Sequence, residues 1–263
     1  MLLAIDVGNS NCTLGVFRGE VLVAEFRRVT DRSWTGDELT SFLRRELRLR
    51  SIEIRQISAA VLVSVVPSAS LSMLDALRSL GVINTLVVGH EVRTGLILSY
   101  EPPSELGPDR IVVGVAAQHL YGQDPQGLAR AVIVVDLGTA TTFDLISARA
   151  EHLGGAIAPG IGISSDALHR RAERLPCAEL RVPLRAVGRN TVEALQSGIV
   201  LGHASLVEGM VARIRAEIEG PIAVVMTGGF AQLLASSIER VDAVHDSLML
   251  EGLRLIFMRN LPS

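Results

Sequence analysis

Leu2-Leu3-Ala4-Ile5-Asp6-Val7-Gly8-Asn9-Ser10-Asn11 and Ala131-Val132-Ile133-Val134-Val135-Asp136-Leu137-Gly138-Thr139-Ala140-Thr141 share one plan. In each, an apolar run with the character of a buried strand ends in Asp-x-Gly and a string of short polar residues. Glycine permits a turn closed to most residues and lets backbone N–H groups approach phosphate oxygens. A carboxylate at the strand end suits Mg²⁺, held directly or through water. Asp-x-Gly alone is common and also describes an ordinary hairpin. Two copies at matching places in two similar halves point to a phosphate site.

Outward from the first copy, the pattern predicts strands at Leu2–Asp6, Cys12–Phe17 and Val21–Val29. A helix over Thr35–Leu49 follows, with Thr35 as its cap and Leu39, Phe42, Leu43 and Leu47 on one face. Next come a β-branched run at Ile57–Val66, a helix over Ser70–Leu80, a strand at Thr85–Val88 and a helix from Pro108. The second copy opens the same series: strands at Ala131–Asp136, Ala140–Ser147 and His152–Ala158, then a helical stretch near Ile161–Arg174. A long helix from Thr191 to about Ile218 is followed by a strand at Ile222–Thr227, a helix after Gly229, a strand at Val241–His245 and a last helix from about Ser247. Extra helix aside, both halves read βββαβαβα. The expectation is an α/β protein of two similar domains, 1–122 and 130–263, with a cleft between them and Gln123–Arg130 as linker.

Composition narrows the chemistry. Hydrophobic residues form 48% of the chain, enough for sizeable cores, while a net charge of −3 and 3% aromatics argue against a nucleic-acid surface. All 25 basic residues are Arg, so a Walker A lysine is excluded. Cys12 and Cys177 make neither a metal knuckle nor a disulfide framework, and a reducing cytoplasm is the expected compartment. The apolar stretch Ile57–Leu74 is broken by Ser58, Ser64, Pro67, Ser68, Ser70 and Ser72, so no membrane span is expected. The six His residues lack metal-ligand spacing, and Cys12 reads as a buried strand thiol.

Three further segments carry possible chemistry. Thr227-Gly228-Gly229 ends a strand and opens a helix, which suits either a nucleotide against bare backbone or plain helix–strand packing. Gly154–Gly160 suits either a substrate wall or a tight turn. In Gly107-Pro108-Asp109-Arg110, Asp109 falls in a first helical turn. Position alone favours a capping Asp with a surface Arg, yet a carboxylate there can also take a hydroxyl proton while Arg neutralises phosphate. The paired turns make a nucleotide-dependent small-molecule kinase the leading reading.

These motifs resemble the type III pantothenate kinases, within the actin, hexokinase and acetate-kinase superfamily. The resemblance runs in order through Asp6–Asn11, Ser64–Pro67, Tyr100, Glu105–Arg110, Asp136–Asp144, Gly154–Gly160, Leu175–Pro176, Gly188–Thr191, Thr227–Gly229 and Asp246–Ile256. It implies an actin-like (ribonuclease H-like) fold and ATP-dependent phosphorylation of pantothenate at its primary hydroxyl, the first step toward coenzyme A. By that similarity Asp109 is the general base and Asp6 the Mg²⁺ ligand. Asp6, Val7, Gly8, Asn9, Ser10, Asn11, Cys12, Thr13 and Thr139 hold ATP, and Tyr100, Gly107, Pro108, Asp109, Arg110 and Thr191 line the pantothenate site. Asp136 becomes the ligand of a monovalent cation, K⁺ or NH₄⁺, and the enzyme a homodimer. Ser10 stands where Thr is frequent and Pro108 where Ala is frequent; Ser keeps the hydroxyl and Pro suits a first helical turn.

Three other readings compete with this one. A related sugar or carboxylate kinase would keep both turns but lack Tyr100, Gly107–Arg110 and Gly188–Thr191. A regulator on the same fold would tolerate loss of Asp6, Asp109 or Asp136, all of which are present. An ATP-driven switch would hydrolyse ATP with no small acceptor.

Overall fold

Each half begins with a meander because its three apolar runs are separated by short polar turns. In a computed structural model, which describes residues 1–261, β1 (Leu2–Val7), β2 (Asn11–Arg18) and β3 (Val21–Val29) pair antiparallel in succession. Helix α1 (Gly36–Leu49) starts from a reciprocal cap: the Thr35 hydroxyl accepts from the Glu38 N–H, and the Glu38 carboxylate accepts from the Thr35 N–H. Its Leu39, Phe42, Leu43 and Leu47, at helical spacing, are buried. Strand β4 (Ala59–Ser64) runs parallel to β1, and α2 (Pro67–Ser79) returns to β5 (Thr85–Val87). Helix α2 begins at Pro67 rather than Ser70, since proline's missing N–H costs nothing at the first helical position. The order β3-β2-β1-β4-β5 covers one core, in which Leu3, Ile5, Val7, Cys12 and Leu14 meet Leu39, Leu43, Leu62 and Met73.

After β6 (Ile97–Leu98) and α3 (Pro108–Tyr121), the plan repeats with β7 (Ala131–Leu137), β8 (Ala140–Ile146), β9 (Glu151–Pro159) and α4 (Ile161–Arg171). Helix α5 (Thr191–Gln196), a π turn (Ser197–Leu201), α6 (Gly202–Arg215), β10 (Ile222–Thr227), α7 (Ala231–Ala235), β11 (Ala243–Val244) and α8 (Leu248–Arg259) complete it. Among the described residues the second sheet has the order β11-β10-β7-β8-β9-β6. Read from β9 to β11 it reproduces the first sheet strand for strand, with β6 added at the edge. The expected mixed α/β repeat is therefore present in sheet order as well as in element order.

Three details differ from the sequence reading. Strand β6 was not expected; two residues are too few to leave a periodic signal, and pairing with β9 (Leu98 opposite His152) makes the strand. The helix expected over Thr191–Ile218 is interrupted at the π turn. There the Ser197 hydroxyl donates to the Ala186 carbonyl (2.5 Å) and Gln196 Nε2 to that of Glu179 (2.9 Å), tying the helix to the preceding loop. The linker Gln123–Arg130 is an ordered turn: Asp124 accepts from the N–H groups of Gln126 and Leu128, and Gly127 sits at φ +83°.

The chain divides into two compact units along lines other than 1–122 and 130–263. The first comprises Met1–Gly95, Glu101–Ala116 and Met249–Ser263; the second comprises Leu96–Tyr100 and Ala117–Leu248. In the first unit α8 packs on the sheet through Leu250 beside Gly15 and Arg254 over the Phe17 ring, and Gly252 lies against Val112 of α3. No helix among the described residues is long and apolar enough to cross a membrane.

Candidate active site

In the first unit, alternation along β1 and β2 sorts the first turn into two faces. Asp6 stands opposite Thr13, and Val7 opposite Cys12. Val7 and Cys12 point into the core, so of the expected ATP-binding set these two side chains pack inward. Burial, and then the Asp6 carboxylate, push the Cys12 thiol above its ordinary range, which makes it an inert core group. Asp6 and Thr13 are half-buried, while Asn9, Ser10 and Asn11 are exposed at the tip.

The tip is braced. Gly8 N–H donates to the Asn11 carbonyl (3.0 Å), and a Cβ on Gly8 would lie 3.1 Å from that oxygen. Thr30, just past β3, holds both sides of the turn: its hydroxyl donates to the Gly8 carbonyl (2.7 Å) and its N–H to that of Ser10 (2.9 Å). Thr30 carried no signal in the sequence, because its partner lies 22 residues away.

The same unit holds the start of α3. Buried Leu106 anchors the approach, Pro108 takes the first helical position, and the Gly107 carbonyl accepts from Ile111 N–H. Asp109 Oδ1 accepts from Arg110 N–H (2.9 Å), which folds the carboxylate back over the helix start. It lies where a Cβ on residue 107 would stand, so a larger residue there would displace the carboxylate. Arg110 is 6% exposed. That overturns the surface-Arg alternative: the arginine is buried, while the carboxylate before it sits at a helix N-terminus, where negative charge is favoured.

In the second unit, two glycines bring two segments onto the Asp136 turn. Asp136 is the last residue but one of β7, opposite Thr142 on β8 and Thr227 on β10. A Cβ on Gly228, whose φ is +94°, would strike Asp136 Oδ1 and the Leu137 backbone. A Cβ on Gly160 would strike the carbonyls of Gly138 and Thr139, and Phe230 N–H donates to the Leu137 carbonyl (3.1 Å). Thr227–Gly229 and Gly160 thus belong to the architecture of this turn, which spacing alone left open. Thr139 is exposed at the tip. Thr141 is fully buried, and its hydroxyl meets His203 Nε2 at 2.8 Å, so it braces the turn from below. Burial lowers the His203 pKa, keeping that imidazole neutral.

Two expected acceptor residues also lie in this unit. Tyr100 follows β6 and sets its ring edge-on to His152, with centroids 6.3 Å apart. Thr191 is exposed at the first position of α5. The loop before it is latched by Glu193, which accepts from Arg189 N–H (2.8 Å) and Asn190 Nδ2 (2.9 Å), bonds that hold its carboxyl below the usual range. Among the described residues, no group of three or more His, Cys, Asp or Glu is placed to hold a metal ion. A cation here would rest on one carboxylate with hydroxyl, carbonyl or water oxygens, a donor set suited to hard ions.

Duplicated sheets of this order, each with an Asp-x-Gly turn at the end of its first strand, define the actin-like ATPase and sugar-kinase class of folds. Solved structures agree on the fold. A Campylobacter jejuni protein described as a Baf family transcriptional activator matches with a TM-score of 0.62 and 21% identity, covering 98% of both chains. Component A of (R)-2-hydroxyglutaryl-CoA dehydratase from Acidaminococcus fermentans matches at 0.55 and 14% identity, over 97% of this chain and 95% of that one. The type III pantothenate kinase family model matches residues 2–213. The type III pantothenate kinase of Moorella thermoacetica is 45% identical over 99% of this chain and 100% of its own length, and that of Halalkalibacterium halodurans 40% over the same shares. The chain belongs to the type III pantothenate kinase family.

Proposed function

We propose that this protein transfers the γ-phosphoryl group of ATP to the primary hydroxyl of pantothenate, the first step toward coenzyme A. The observation that carries the reading is the Gly107–Arg110 turn of a family member: at a helix start, a carboxylate accepts from the backbone N–H of the next residue, an arginine that is itself buried. Phosphoryl transfer asks mainly for positioning and charge neutralisation. Asp109 accepts the hydroxyl proton as the oxygen attacks, and Arg110 offsets phosphate charge. The exposed Asn9–Asn11 tip and Thr139 hold the nucleotide's phosphates, and Tyr100, Gly107, Pro108 and Thr191 shape the acceptor site.

Asp6 fits a divalent ion, being a half-buried carboxylate at a strand end beside exposed polar groups. Mg²⁺ bound with ATP supplies charge neutralisation at the phosphates. Asp136 would hold K⁺ or NH₄⁺, and the crowding of Gly138, Gly160 and Gly228 around it supports a site built from backbone oxygens. With no lysine in the chain, such ions and Arg110 supply the positive potential. A homodimer fits the apolar side chains that the second unit exposes, among them Ile157, Leu184 and Val187. The cytoplasm, where ATP and pantothenate meet, is the proposed compartment.

The test is ADP release with pantothenate, with and without K⁺, for wild type and Asp109→Asn. Wild-type protein that binds ATP and never phosphorylates pantothenate ends the proposal. Full kcat in Asp109→Asn ends the assignment of the base, and equal turnover in K⁺ and Na⁺ ends that of the monovalent site.

A further inference from the structure

The two sheets provide an internal control. Register aligns Asp136–Thr142 with Asp6–Thr13, and both meanders carry a bulge at the same place, Leu145/Ile146 in one and Val16/Phe17 in the other. Ile146 pairs with His152, and Phe17 with Leu22. On this alignment Asp144 occupies the place of Gly15, and His152 that of Leu22. In the first unit the position is filled with hydrocarbon: a Cβ on Gly15 would meet the side chains of Leu22 and Leu250. In the second unit the same position holds a carboxylate and an imidazole, both wholly buried, joined by His152 Nε2–H donating to Asp144 Oδ1 (3.0 Å). The meander does not require them.

Burying such a pair costs more than packing leucine, and His152 Nδ1 has no hydrogen-bond partner among the described residues. What distinguishes the second unit at this position is β6. Leu98 pairs with His152, the Ser99 N–H donates to the His152 carbonyl (3.0 Å), and the Tyr100 ring stands edge-on to the imidazole at 73°. On the other side the Thr142 hydroxyl donates to Asp144 Oδ2 (3.3 Å), and Thr142 pairs with Asp136. One face of the sheet therefore carries Asp136, Thr142, Asp144, His152 and Tyr100 in a row.

We propose that Asp144 and His152 are positioning residues for Tyr100: the carboxylate fixes the imidazole tautomer and plane, and the imidazole fixes the ring that recognises the acceptor. The proposal rests on the reading of Tyr100 as part of the pantothenate site. A loss confined to acceptor binding is the signature, because residues that only support the fold would disturb nucleotide kinetics as well.

The test compares the apolar double variant Asp144→Ala/His152→Leu, the conservative Asp144→Asn, Tyr100→Ala and wild type. The double variant should raise the pantothenate KM about tenfold, with kcat and the ATP KM within about twofold, a uniform-binding loss. Asp144→Asn keeps an oxygen to accept from Nε2–H and should hold the pantothenate KM within about threefold, the modest cost of weakening one charge-assisted bond. Tyr100 and Tyr121 are the chain's two tyrosines, so ¹⁹F NMR of fluorotyrosine-labelled protein reads ring position without substrate. The Tyr100 resonance should move in the double variant while that of Tyr121 stays.

An unmoved Tyr100 resonance, or an unchanged pantothenate KM where Tyr100→Ala raises it, overturns the proposal and leaves the acceptor reading intact. A Tyr100→Ala protein with unchanged pantothenate KM overturns both. If the double variant does not fold, Asp144→Asn decides through the same resonance, which must shift measurably though less.

Discussion

Gly228 and Gly229 are neighbours in the Thr-Gly-Gly segment, and replacing each with alanine should give opposite results. At Gly228 the backbone is at φ +94°, and the added Cβ would strike Asp136 Oδ1 and the Leu137 backbone. The left-handed conformation costs a non-glycine residue about 1–2 kcal/mol. Relieving an overpacked contact against backbone adds about 1–3 kcal/mol. Gly228→Ala should therefore lose about 2–5 kcal/mol, or roughly 5–20 °C in Tm at about 2–4 °C per kcal/mol for a unit of this size. At Gly229 a Cβ meets nothing within 4 Å, and the cost should stay within about 0.5 kcal/mol. The assay is a thermal melt of both variants with turnover measured across a K⁺ titration. Gly228→Ala should also need more K⁺ for half-maximal rate, since the clash falls on the Asp136 carboxylate. Equal melting temperatures for the two variants would refute the geometry argued for this turn. A destabilised Gly228→Ala with an unchanged K⁺ requirement would refute only the cation assignment.

Thr30→Val removes the hydroxyl bond to Gly8 while preserving shape, and should raise the ATP KM about two- to tenfold with the pantothenate KM unchanged, checked by steady-state kinetics. Because burial lowers the His203 pKa, the folded state binds fewer protons than the unfolded state once the pH falls below the ordinary histidine value. Stability from this group is full above pH about 6.5 and is lost as pH falls toward its folded pKa; urea midpoints from pH 7.5 to 5 should decline less steeply in His203→Gln. Thr35→Ala breaks the reciprocal cap of α1 and should lower stability by about 0.5–2 kcal/mol with kcat unchanged, measured by chemical denaturation.

The strands and long helices were legible because each carries its own period: alternation around Asp6, β-branched runs at β4 and β10, and helical spacing in Leu39, Phe42, Leu43 and Leu47. The two turns were legible because a repeated Asp-x-Gly is unusual even where one copy is not. Tertiary partnership was not legible. The apolar face of α8 announces that it must be covered, yet nothing in its spacing says that it meets Gly15 and Phe17 of the opening strands. Strand β6 exists because β9 offers an edge, and the approach of Gly160 and Gly228 to the Asp136 turn joins residues far apart in sequence. Arg110 read as a surface residue because position within a helix does not reveal burial when the neighbouring side chain is also charged.

The return of Met249 onward to the first unit has a consequence for synthesis on the ribosome. The opening strands emerge first, but the helix that packs against Gly15 and Phe17 emerges only after the whole of Ala117–Leu248. At about 5–20 residues per second that delay is on the order of ten seconds, during which the earliest sheet is without α8. A nascent chain of this protein is therefore expected to finish its second unit before its first, the reverse of the usual order, and to expose the Gly15–Phe17 surface to chaperones for that interval.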